Sequence, residues 1–206
     1  MSSVKSLVPL TARVRAQRAY LYAKWLSSGQ PSPAPQAVKL GVFARYGYEG
    51  GTWVESGTYL GDTTRILARH AERVFTIEPS SELAARARQG LADLSNVEVL
   101  EGLSEDVLPS LLHGLNGTIS FWLDGHASGG LTHSGSKVTP IREEFATISE
   151  HIGQFDRVAV LVDDFRGFGG RHDVDGAYPS RASLVAWADS HNMNWTVEHD
   201  IFVSWR

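Results

Sequence analysis

Five carboxylates close or follow short apolar runs: Glu55, Glu78, Asp124, Asp163 and Asp164. The first opens the stretch Glu55-Ser56-Gly57-Thr58-Tyr59-Leu60-Gly61-Asp62-Thr63-Thr64. Gly57 and Gly61 let the backbone turn sharply there and come close to a ligand where a Cβ would collide. Their G-x-x-x-G spacing departs from the G-x-G-x-x-G of pyrophosphate binders. Seventeen residues after Gly61, Ile77-Glu78-Pro79 sets an acid where it can accept hydrogen bonds from both hydroxyls of a ribose. Together, a bend and an acid after consecutive strands predict a site for an adenosine-type ligand. Phe121-Trp122-Leu123-Asp124 and Leu161-Val162-Asp163-Asp164 end two further runs. Like charges gathered together repel unless a cation sits among them, and three carboxylates suit a hard divalent ion such as Mg²⁺. The plainer use is local: Asp124 caps a loop, and the Asp pair accepts from backbone amides.

His126 follows Asp124 by two residues, in a glycine-rich loop that also holds His133. Imidazole there can serve as a general base near neutral pH or as a metal ligand. His126, beside Asp124, is the candidate of the two; His133 fits equally well as an incidental loop residue. Lys137 either orients a substrate or is solvated. A second glycine-rich stretch, Phe165-Arg166-Gly167-Phe168-Gly169-Gly170-Arg171, reads as a lid whose arginines meet an anionic group or simply solvent.

These residues need a frame that brings strand ends together. Thr52–Glu55, Arg73–Glu78, Val97–Leu100, Ile119–Leu123 and Arg157–Val162 read as strands, several of them almost continuously apolar, as in a parallel sheet covered on both faces. Helical patterns near Asp62–His70, Ser80–Leu91, Ser104–Leu112 and Pro140–Ile152 lie between them. The alternation predicts a doubly wound α/β fold, in which ligands bind beyond the carboxyl ends of the strands. A helix near Ser180–His191 then leads to Trp195–His199 and Ile201–Trp205. These last two runs are joined too tightly for a crossover and predict an antiparallel hairpin at the edge of a seven-stranded, mostly parallel sheet.

Before Glu49 the chain differs. Residues 1–48 hold seven basic side chains and no acid, whereas the rest holds 12 bases against 23 acids. Apolar Leu10, Val14, Leu21 and Trp25 fall near helical period, so a basic cover helix is expected. Pro31, Pro33 and Pro35 should end it in a stiff connector. The expected division is therefore 1–48, helix and connector, and 49–206, the ligand-binding domain. An exposed Trp25 would make a homodimer plausible. The chain of 206 residues has no cysteine, which excludes disulfides, thiolate metal sites and cysteine nucleophiles. It has no apolar run long enough for a membrane span. The net charge of -4 argues against a dedicated nucleic-acid binder. Without a secretory h-region, and although the basic start shares features with transit peptides, the chain reads as cytoplasmic.

From residue 50 onward the sequence resembles class I S-adenosylmethionine-dependent methyltransferases. VESGTYLGDT stands for the glycine-loop motif, TIEPS for the ribose-binding acid, and Val99-Leu100-Glu101-Gly102-Leu103-Ser104 for the segment around adenine. The Asp…Asp-Asp arrangement is similar to the metal site of cation-dependent O-methyltransferases, including the catechol type and the macrocin, antibiotic-sugar type. The resemblance implies S-adenosyl-L-methionine held by Glu55, Ser56, Gly57, Thr58, Gly61, Asp62, Thr63, Glu78, Gly102, Leu103, Ser104 and Asp124. It implies Mg²⁺ on Asp124, Asp163 and Asp164, with Asp124 or His126 taking a proton from a small hydroxylated acceptor such as a sugar or natural product. A catalytically silent module that only binds an adenosyl ligand is the alternative. A nicotinamide-dependent oxidoreductase is disfavoured by the glycine spacing and the closing hairpin.

Overall fold

The computed structural model describes residues 10–124, 139–169 and 178–206. Its centre is one seven-stranded sheet formed by β1 (Thr52–Ser56), β2 (Arg73–Glu78), β3 (Val97–Glu101), β4 (Gly117–Leu123), β5 (Phe155–Val162), β6 (Asn194–Glu198) and β7 (Ile201–Trp205). The order is β3-β2-β1-β4-β5-β7-β6. The first five strands are parallel, and β7 runs antiparallel between β5 and β6. The expected doubly wound sheet and closing hairpin are therefore present. Strand order reverses between β1 and β4, which opens a crevice at their carboxyl ends.

Seven α-helices accompany the sheet among the described residues: α1 (Leu10–Ser27), α2 (Gln36–Tyr46), α3 (Asp62–Leu67), α4 (Ser81–Gly90), α5 (Ser104–His113), α6 (Ile141–His151) and α7 (Arg181–Ser190). Alternate strand residues feed two cores. Val54, Phe121 and Val160 pack with Leu108 and Leu112 of α5, Phe145 and Ile148 of α6 and Leu184 of α7. Trp53, Trp122 and Leu161 face the other way, onto Val42 and Phe43 of α2 and Leu67 of α3. This is the period-two division of a sheet buried on both sides.

The amino-terminal part departs from expectation at two points. The proline segment does not run on to residue 48 as a connector; it starts α2. Pro35 stands just before the helix, where a fixed φ and a missing N–H cost nothing. Val38 and Val42, four residues apart, bury one face of α2, and the Phe43 ring meets Trp122 edge-on at 4.6 Å between centroids. The second correction concerns Trp25, which is buried rather than exposed. Its indole N–H donates to the Pro31 carbonyl at 2.7 Å, and its ring meets His199 at 5.5 Å. Leu21, expected on the same apolar stripe, is exposed beside Tyr20, Tyr22 and Leu26.

Candidate functional site

Parallel register brings the predicted strand ends to one rim. Ser56 lies opposite both Ile77 and Leu123, and Leu123 opposite Val162. The ladder continues one step past the strands. Gly57 N–H donates to the Ile77 carbonyl at 3.0 Å, Gly102 N–H to Glu78 at 3.0 Å, Asp124 N–H to Ser56 at 3.1 Å and Asp163 N–H to Leu123 at 3.1 Å. Glu78, Gly102, Asp124 and Asp163 therefore stand side by side at the carboxyl end of the sheet. Asp62 and Thr63 begin α3 at the same end, the first exposed and the second accepting from the Gln36 side chain at 2.9 Å. Leu103 and Ser104 begin α5 directly after Gly102.

The bend after β1 requires glycine at two places. Gly57 has φ +92° and Gly61 φ +78°, and a Cβ on Gly61 would lie 2.9 Å from a Leu91 methyl. Between them Thr58 is buried, its hydroxyl 2.6 Å from that of Thr76, while Tyr59 and Leu60 project outward. Glu78 is buried below this bend. Its two oxygens accept from the Tyr59 N–H at 2.8 Å and the Ser80 N–H at 3.0 Å. Each carboxylate oxygen has a second lone pair, so ribose hydroxyls can still donate to it.

Glu55 sits deeper than its motif implies. It is wholly buried, and one oxygen accepts from the hydroxyls of Thr64 at 2.5 Å and Thr76 at 2.7 Å. Burial pushes its carboxyl up to about 8; the two threonines oppose that rise, while Asp124 and Glu78 add to it. Its other oxygen and the Ser56 hydroxyl have no hydrogen-bond partner among the described residues. Thr64 and Thr76, which hold Glu55, carry no motif signal, because buried hydroxyls beside a strand resemble ordinary core threonines.

Two of the three acids after β4 and β5 are paired with cations. Asp163 is buried and ion-paired with Lys39 of α2. Loss of water and the charge of Asp124 raise its carboxyl, and Lys39 draws it back down. Asp164 adopts a left-handed conformation, φ +53°, which turns it to Arg166 at 2.8 Å; Arg166 is also paired with Asp200 of the β6–β7 turn. Among the described residues no three His, Asp or Glu side chains lie close enough to hold a metal ion. Of the donors expected for Mg²⁺, Asp124, Asp163 and Asp164, the second thus faces a lysine ammonium and the third a guanidinium. Lys39 gave no signal in the sequence, lying in a stretch read as connector. His126, His133, Lys137 and Arg171 lie outside the described residues.

The fold as a whole finds counterparts among solved structures. A methyltransferase from Geobacter sulfurreducens superposes with a TM-score of 0.55 at 16% identity, covering 97% of this chain and 91% of its own. A candidate rRNA methylase from Clostridium thermocellum gives 0.54 at 14% identity, over 82% and 95%. A candidate methyltransferase from Streptococcus mutans, solved in complex with SAH, gives 0.51 at 12% identity, over 83% and 96%. The chain has the class I methyltransferase fold. No protein-family model matches the sequence, and neither does any curated protein. In this methyltransferase fold the reversal between β1 and β4 puts the glycine bend and Glu78 on one side of the crevice and Asp124 and Asp163 on the other. No helix among the described residues is long and apolar enough to cross a membrane.

Proposed function

We propose that the chain is an S-adenosyl-L-methionine-dependent methyltransferase acting on a hydroxyl group of a small acceptor. The observation that carries this reading is the shared rim: a left-handed glycine bend and buried Glu78 beside two further strand-end acids, on a fold whose SAH-bound neighbour is a candidate methyltransferase. The residues fit the adenosyl group. Glu78 retains lone pairs for a ribose diol, Gly57 and Gly102 bring bare backbone to the rim, and the free oxygens of Glu55 and Ser56 lie beneath. When bound, the sulfonium supplies an activated methyl, which leaves sulfur as a thioether and bonds to the acceptor oxygen. The protein's share is to align oxygen, carbon and sulfur, worth up to ~7–11 kcal/mol in well-oriented reactions, and to receive the hydroxyl proton. Asp124 is the proposed acceptor of that proton, with His126 as the second candidate.

The proposed step runs without magnesium: of its three expected ligands, Asp163 is engaged with Lys39 and Asp164 with Arg166. The rRNA-methylase neighbour raises a nucleic-acid acceptor. The net charge of -4 favours a small hydroxylated molecule instead, a sugar or natural product. A cytoplasmic site of action and a homodimer complete the proposal, the latter through the exposed Tyr20, Leu21, Tyr22 and Leu26 of α1, with residues 1–48 as the basic amino-terminal part and 49–206 as the ligand-binding domain. Titration calorimetry with S-adenosyl-L-methionine and with SAH tests the reading. Both should bind, and Glu78→Ala should weaken both at least about tenfold, ~1.4 kcal/mol. Failure of the wild type to bind either would refute it. Binding without turnover over a broad panel of hydroxylated acceptors would favour the silent module.

A further inference from the structure

We propose that Lys39 is the built-in cation of this rim, holding the place at Asp163 that a divalent ion would otherwise take. A carboxylate whose side chain is only 4% exposed needs a counter-charge or a proton, since water no longer screens it. Lys39 supplies that charge from the first turns of α2, its own side chain 19% exposed. Its ammonium also lies 5.6 Å from the centre of the Trp122 ring, whose face attracts cations. Two elements far apart in sequence thus converge on one atom: α2 with the ammonium and the end of β5 with the acid. Asp164 cannot complete a metal site beside it while turned to Arg166, which Asp200 holds in place. A cation entering at Asp163 must displace the ammonium.

The functional meaning of this charge rests on the methyl-transfer reading; the charge substitution itself does not. The test takes the full chain with Mn²⁺ as probe, following free Mn²⁺ by electron paramagnetic resonance and unfolding by thermal melting. Wild type should leave Mn²⁺ free, its Tm unmoved by Mn²⁺ or EDTA. Lys39→Ala should melt lower, bind Mn²⁺ at least about tenfold more tightly than wild type, and regain Tm when Mn²⁺ is added. Adding Asp163→Asn to that variant should abolish the response. Lys39→Met, which keeps an apolar stem, replaces the alanine variant if that fails to fold; if neither folds, the wild-type titration decides. Asp163-dependent Mn²⁺ binding by wild type overturns the proposal, as does a folded Lys39 variant that binds Mn²⁺ no better than wild type. Calorimetry with SAH on the same samples separates the two ideas. A chain that shows the Lys39 pattern but binds no SAH keeps its built-in cation and loses only the methyl-transfer reading.

Discussion

Replacing Glu55 by Gln should change how stability depends on pH more than it changes stability itself. The carboxyl is fully buried and pushed up to about 8, chiefly by loss of water, from an ordinary value of 4.5. Between these values the folded chain holds a proton that the unfolded chain has released. The unfolded state therefore binds fewer protons in this window, and stability falls as pH rises through it. Below the unfolded value both states are protonated and the group contributes nothing. One pH unit is worth ~1.4 kcal/mol, so from about pH 5.5 to 8 wild type should lose ~3 kcal/mol through this one group. That is a large share of the ~5–15 kcal/mol typical of a folded domain. Gln keeps an oxygen for the hydroxyls of Thr64 and Thr76 but puts an amide where an oxygen now has no partner. That buried donor costs ~1–3 kcal/mol at every pH, so it offsets both ends of the comparison equally and cancels from the slope. Urea unfolding of both proteins at the two pH values gives the difference directly. If Glu55→Gln loses as much stability over this range as wild type does, the buried carboxyl is not where the proton is held, and the account of Glu55 is wrong.

Two further substitutions probe the frame. Gly61→Ala forces a Cβ into a left-handed backbone, at ~1–2 kcal/mol, and against Leu91. Its Tm should drop by about 4–8 °C for a loss of ~2 kcal/mol in a chain of this size; an unchanged melting curve would mean that the bend relaxes freely. Phe43→Ala removes a ring wedged against Trp53 and Trp122 and should cost ~3–5 kcal/mol in urea unfolding. A loss below about 1 kcal/mol would place α2 outside the cooperative core.

Local pattern was enough for the sheet and for most of the rim. Near-continuous apolar runs such as Val158–Val162 can only be satisfied by cover on both faces, and helices between successive strands make those strands parallel. Parallel strands all end on the same side, so the grouping of Glu78, Asp124 and Asp163 follows from the pattern alone. The tight link before Ile201 likewise required an antiparallel pair. The sequence did not show what each acid does once it arrives. Pro35 reads equally as a stop or a start, and it becomes a start because Val42 and Phe43 find Trp53 and Trp122 to cover. With α2 in place, Lys39 reaches Asp163 across 124 positions of chain, a partnership that no local spacing encodes. Asp163 and Asp164, adjacent and chemically identical in the sequence, part ways because Asp164 itself takes a left-handed backbone that turns it to Arg166. Hydrophobic periodicity is a property of neighbours along the chain, and it dictates elements and their direction. Ion pairing depends on which side chains meet in space, and burial decides how strongly, so the charge at this rim was set only when the helices closed over the sheet.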